Sequence, residues 1–175
     1  MPTRRDMVVA LTAASLAVAV TLGSFALFKL GIDGKERSMN SSDLADADLA
    51  TLASAHDATQ TVERLKALLA QKKIQVFADI DHAAAARNVG LALRPTRVVI
   101  FGNPQAGTPL MQSRQTIGLD LPLRVLVWED EAGKVWLSYH RLEFLAHRHH
   151  VLDHDEVVKT LGAGLAAVAR AAASP

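Results

Sequence analysis

Residues 98–111 read V-V-I-F-G-N-P-Q-A-G-T-P-L-M, a stretch that leaves the backbone little choice. Val98, Val99, Ile100 and Phe101 are β-branched or aromatic without a break, which predicts a central strand buried on both faces. Gly102-Asn103-Pro104 stops that strand, because Asn before Pro is biased away from helix. Gly107 frees the backbone, and Thr108-Pro109 has the form of an N-cap followed by a first helical residue. Such a strand, loop and helix start can hold an anion on exposed amides. A plain structural turn is the commoner use of the pattern in any chain that mixes helices and strands.

Around this stretch the chain falls into further elements. Asp57-Ala58-Thr59-Gln60 is a capping-box variant, followed by Val62, Leu65, Leu68 and Leu69 at helical spacing, which predicts an amphipathic helix to about Lys73. A strand is expected over 75–80 with Val76 and Phe77 in the core, then a helix over 82–88 capped by Asp81 and ended by Gly90. Residues 109–114 read as a short helix and 118–122 as a turn. Residues 123–128 and 135–139 read as strands joined by a short turn, hence an antiparallel hairpin. Two helices close the chain, over about 142–147 and over 153–173, the second capped by Asp153 or Asp155.

The first thirty residues are of another kind. Positions 7–28 are 22 consecutive uncharged residues between Arg4-Arg5-Asp6 and Lys29, long enough at helical rise to span a bilayer core. An uncleaved anchor is the reading that span length favours, with a cleaved export signal as the alternative, since Ser24-Phe25-Ala26 has the small-x-small form of a cleavage site. The start, Thr3-Arg4-Arg5-Asp6-Met7, also resembles a twin-arginine export signal, departing from it at Met7 and Val9. Either way the body of the chain is expected outside the cytoplasm: on the inner membrane if anchored, periplasmic or exported if cleaved. Residues 31–50, rich in Gly, Ser, Asn and Asp, read as a flexible linker, and 51–175 as a single domain.

Charge and cysteine narrow the function classes. The net charge is +1 with basic residues scattered, which leaves no electrostatic footprint for nucleic acid. Cysteine is absent, which removes disulfides, thiolate catalysis and cysteine metal ligands. His147, His149, His150 and His154 with Asp153 and Asp155 form a dense group of metal-type ligands, but no H-E-x-x-H pattern is present, and a solvated bend is the preferred reading. No metal site is assigned. Arg148 is expected to pair with a carboxylate such as Asp130 or Glu143. Ser138 and Thr108 lie outside any G-x-S-x-G elbow, so a serine-hydrolase reading has little support.

Four blocks carry a family likeness: D-I-D-H-A-A-A-A (79–86), R-P-T-R-V-V-I-F-G-N-P-Q-A-G-T-P-L-M (94–111), D-L-P-L-R-V-L-V-W-E-D (120–130) and G-K-V-W-L-S-Y (133–139). Together they resemble the bacterial domain of unknown function family 302, over about 54–151 and loosely into the last helix. The resemblance implies an α+β fold: a curved, mainly antiparallel sheet with helices packed on one face and a tendency to form homodimers. It implies no catalytic residue and no cofactor. His140 departs from it, where the family tends to show Asn. Trp128, Trp136 and Tyr139 on the paired strands fit core packing or a dimer surface.

Two functions are then weighed. The first is a membrane-tethered or exported homodimeric module that binds a small ligand or a partner through His82, Gly102, Asn103, Gly107 and Thr108. The second is a small enzyme with His82 as acid-base and the 102–108 loop as an anion-stabilising site. Asp81-His82 follows a strand end, as Asn103 does, so His82 and Asn103 are expected to face one depression with Thr108 at its rim. A strand pairing that sends them to opposite ends of the sheet would remove the enzyme's constellation.

Overall fold

The computed structural model describes residues 48–175; the proposed anchor at 7–28 and most of the linker lie outside the described residues. The described chain runs β1 (Leu49–Ala53), α1 (Ala58–Gln71), β2 (Gln75–Asp81), α2 (His82–Asn88), β3 (Thr96–Gly102), α3 (Pro104–Ser113), a 3₁₀ turn (Gln115–Leu119), β4 (Leu123–Glu129), β5 (Val135–His140), α4 (Leu142–Arg148) and α5 (Asp155–Ala173). The five strands form one sheet in the order β1-β5-β4-β3-β2, and every neighbouring pair is antiparallel. This is the α+β architecture with an antiparallel sheet that the family resemblance implies. The middle strand is β4, however, and β3 lies one place from the edge.

Strand periodicity builds the core. Val99 and Phe101 of β3, Val125 and Val127 of β4, and Val135, Leu137 and Tyr139 of β5 point to one face and are buried against Val62, Leu65 and Leu69 of α1 and Leu165, Val168 and Ala172 of α5. Their alternates, Val98, Ile100, Leu126, Trp128 and Trp136, turn to the opposite face and remain partly exposed. β3 is therefore buried on one face rather than two. A second cluster, with Leu110, Ile117, Leu142, Leu145, Val151 and Val158, ties α3, the 3₁₀ turn, α4 and the start of α5 together. Leu123 packs against both clusters and marks their seam.

Caps fix the helix starts. Asp57 accepts the Gln60 amide at 2.7 Å and Asp81 the Ala84 amide at 2.7 Å, as expected at both sites. Gly90 closes the turn after α2 with φ +76°, a conformation that suits glycine. α3 corrects its expected start: the N-cap is Asn103, accepting the Gln105 amide at 2.9 Å, with Pro104 in the first turn, so Thr108 and Pro109 fall inside the helix. The pair read as a strand stop is also a helix start, since Asn caps and Pro has no amide to leave unsatisfied. α5 begins after His154 without a side-chain cap; Asp153 instead accepts from the Ser113 hydroxyl. The linker expected to run to 50 gives way at Leu49 to β1, a strand by virtue of pairing with β5.

Candidate functional site

A cavity of about 210 Å³ opens where β3 ends. Its walls are Gly102 and Asn103, the α3 residues Pro104, Ala106, Gly107, Thr108 and Met111, and the loop Leu121-Pro122-Leu123. Phe77 of β2, Leu142 of α4 and Leu161 of α5 complete it. The sheet delivers β3 to this end, and Gly102 lets the walls close: a Cβ there would lie 3.4 Å from Cβ of Pro122 and 3.7 Å from Phe77 Cε2. Gly107 is equally near the opposite wall, its notional Cβ 3.7 Å from Leu121 Cδ1. Leu121-Pro122 is a cis peptide bond. Leu142 is wholly buried at the floor, whereas Asn103 and Thr108 are exposed at the rim.

Gly102, Asn103, Gly107 and Thr108 thus lie together on one depression. His82 does not. The β2–β3 pairing is antiparallel, with Gln75 opposite Gly102 and Asp81 opposite Arg97, so His82 emerges at the other end of the sheet, exposed. The acid-base pairing of His82 with the 102–108 loop is therefore overturned. The free loop amides expected after Thr108 are also absent, because these residues belong to α3.

Phe77 is a second correction. The β2–β3 register shifts between Val76 and Ala78, and this bulge turns Phe77 out of the core to 46% exposure, where it becomes a cavity wall. Sequence reasoning passed over Met111, Leu121, Leu123, Leu142 and Leu161 because apolar residues in such elements read as core. No local signal separates a core leucine from one facing a void.

Two charged clusters lie outside the cavity. Arg97 donates to both Asp79 oxygens, at 2.9 and 2.6 Å, and Lys66 stands 3.2 Å from the same carboxylate. Burial pushes the Asp79 carboxyl up, but the Arg97 and Lys66 hydrogen bonds outweigh it and hold the group below its ordinary value. The second cluster replaces the expected histidine bend: His149, 8% exposed, has Nε2 2.7 Å from Asp120 Oδ2 and Nδ1 3.2 Å from Thr116 Oγ1. Arg148 stands 3.8 Å from Asp120, rather than beside Asp130 or Glu143. Asp130 accepts instead from Trp136 Nε1 at 2.7 Å and closes the β4–β5 turn. Among the described residues, no three His, Asp or Glu side chains are grouped so as to hold a metal ion.

Fold and cavity together define a class: a small α+β domain, one antiparallel sheet backed by helices, with an apolar cavity at one sheet end. The chain belongs to the family described as domain of unknown function DUF302, whose model matches residues 50–168. Proteins of Brucella suis biovar 1 (strain 1330) and Brucella abortus biovar 1 (strain 9-941), each named fluoride-specific ion channel FluC 1, are 45% identical to it over 131 residues, 74% of this chain. That match covers 52% and 48% of those proteins, so the chain spans about half the length of the curated relatives it matches. The crystal structure of an uncharacterized conserved DUF302 protein from Bacillus stearothermophilus superposes with a TM-score of 0.66 at 19% identity, covering 73% of this chain and 99% of that one. That likeness shows a shared fold.

Proposed function

We propose that the chain is a membrane-tethered or exported, homodimeric module that binds a small molecule in the cavity bounded by Gly102, Asn103, Gly107 and Thr108. The observation that carries the reading is the cavity itself: a preformed concave site with apolar walls and a few polar groups at its mouth is the usual form of a small-molecule site. The uncharged run at 7–28 supports a place at the membrane. So do the names of the Brucella relatives, since an ion channel is a membrane protein. Among the described residues no helix is long and apolar enough to cross a membrane, so tethering rests on the N-terminal run.

A mass-spectrometric inventory of small molecules retained by the natively purified chain tests the binding reading. One species should co-purify with the wild type and be lost from Gly107→Leu. That substitution projects toward Leu121 and fills the void, and leucine is the better helix former. Equal retention by both proteins would defeat the reading.

The open sheet face supports the dimer. Val98, Ile100 and Leu126 form an apolar surface beside the stacked rings of Trp128 and Trp136, whose centroids are 6.2 Å apart, and Ile80 at its edge is 41% exposed. Light scattering should give twice the chain mass for the wild type and the single mass for Ile80→Lys. A wild type that stays monomeric at high concentration would remove the dimer from the proposal.

A further inference from the structure

Resting on the binding reading above, we propose that the cavity takes one linear aliphatic chain of an amphiphile and leaves its polar head at the rim. Volume sets the size. At about 210 Å³ the space exceeds the ~150 Å³ cavity that accommodates benzene, and scales to roughly eight or nine carbons. The walls set the chemistry: Met111, Leu121, Leu123, Leu142 and Leu161 are aliphatic, and Phe77, the one aromatic lining residue, stands half exposed at the edge. A flat ring would find no pair of faces to stack between.

Polarity follows from the two ends. The floor at Leu142 is closed, and the rim carries Asn103 and Thr108. Asn103 Oδ1 is engaged by the Gln105 amide, which leaves its side-chain N–H groups for a head-group oxygen. No lining residue carries an ionisable side chain, so a charged head has no counter-charge in the walls and stays in water. The chain has two possible sources, a free amphiphile or the tail of a bilayer lipid. Both present the same chemistry to the cavity.

Met111 is the reporter, because it lines the cavity and is one of only four methionines. The full chain, labelled with ¹³C-methyl methionine and held in lipid nanodiscs, is titrated with n-alkanols and n-alkanoates of increasing length; a Met111→Leu variant assigns the signal. The Met111 shift should report an affinity that rises about fourfold per added methylene. The rise should stop near eight carbons. An NOE from Met111 to acyl protons of protonated but not acyl-deuterated lipid, before any addition, would identify the bilayer as the source. Leu161→Phe, which shortens the cavity from another wall, should move the break to shorter chains. A Met111 signal that ignores chain length and shows no lipid NOE overturns the proposal. If indole or benzyl alcohol shifts Met111 while alkanols do not and no lipid NOE is seen, the aliphatic assignment fails and the binding reading stands; if nothing shifts it and no lipid NOE is seen, both fail.

Discussion

Replacing Leu142 by Ala should lower the unfolding free energy by about 3 kcal/mol, within the range for a fully buried leucine. For a domain of this size that is a fall in melting temperature of roughly 10 °C. Two terms add here. The lost transfer free energy of the three removed carbons is one, and the other is the void that remains, because α4 is pinned against α3, the 3₁₀ turn and α5 by the second core cluster and collapses only in part. Since Leu142 is also the cavity floor, the same variant should deepen the site. The longest chain that still gains affinity should grow by roughly three carbons, the number removed. Leu152→Ala is the control: that side chain is 72% exposed and its loss should leave both melting temperature and chain-length profile where they were. A Leu142→Ala protein as stable as the wild type would show that the floor relaxes into the void, and that the cavity is softer than its walls suggest.

The elements that sequence predicts well are those whose signals are local. Asp57 and Asp81 sit where a cap must be, and β4 and β5 are joined by a turn too short for anything but antiparallel pairing. The start of α3, capped by Asn103 rather than Thr108, is a local miss, and the others depend on what packs from far along the chain. L-A-T-L-A at 49–53 has no strong strand propensity, and it is a strand because β5 offers it a row of backbone groups, with Ala50 opposite Tyr139 and Leu52 opposite Leu137. Phe77 looks like a core residue until a register shift in pairing with β3 turns it outward. His82 and Asn103 each follow a strand, but only the direction of pairing decides whether two strand ends meet, and β2 runs against β3. The half of the cavity lining carried by one continuous segment, 102–108, is therefore legible. The half assembled from β2, α4, α5 and the 121–123 loop is not.

The last expected result concerns the loop that forms one cavity wall. Asp120 immediately precedes Leu121-Pro122-Leu123, and its carboxylate holds His149 at 2.7 Å while His149 also reaches Thr116 at 3.2 Å. The imidazole thus pins both sides of the 3₁₀ turn to the end of α4. Asp120→Ala should cost about 1–3 kcal/mol, because the His149 nitrogen it leaves behind is buried without a partner. It should also weaken ligand retention, since the side-chain tie from the start of the wall to the end of α4 is then gone. Burial pushes the Asp120 carboxyl up, but the His149 hydrogen bond and the charges of Arg148 and Arg124 outweigh it and hold the folded group below its ordinary value. A depressed carboxyl contributes stability that is full above its unfolded pKa of about 4 and is lost as pH falls through the lower, folded value. The wild type should therefore lose urea resistance on acidification below about pH 4. Asp120→Ala should lose less over the same interval. Asp79, depressed in the same direction, keeps part of the acid dependence in both proteins. Asp120→Asn, which retains an acceptor for His149 but no charge, should recover most of the neutral-pH stability and little of the acid slope. Identical acid profiles for the wild type and Asp120→Ala would mean that the carboxylate is not what holds the turn.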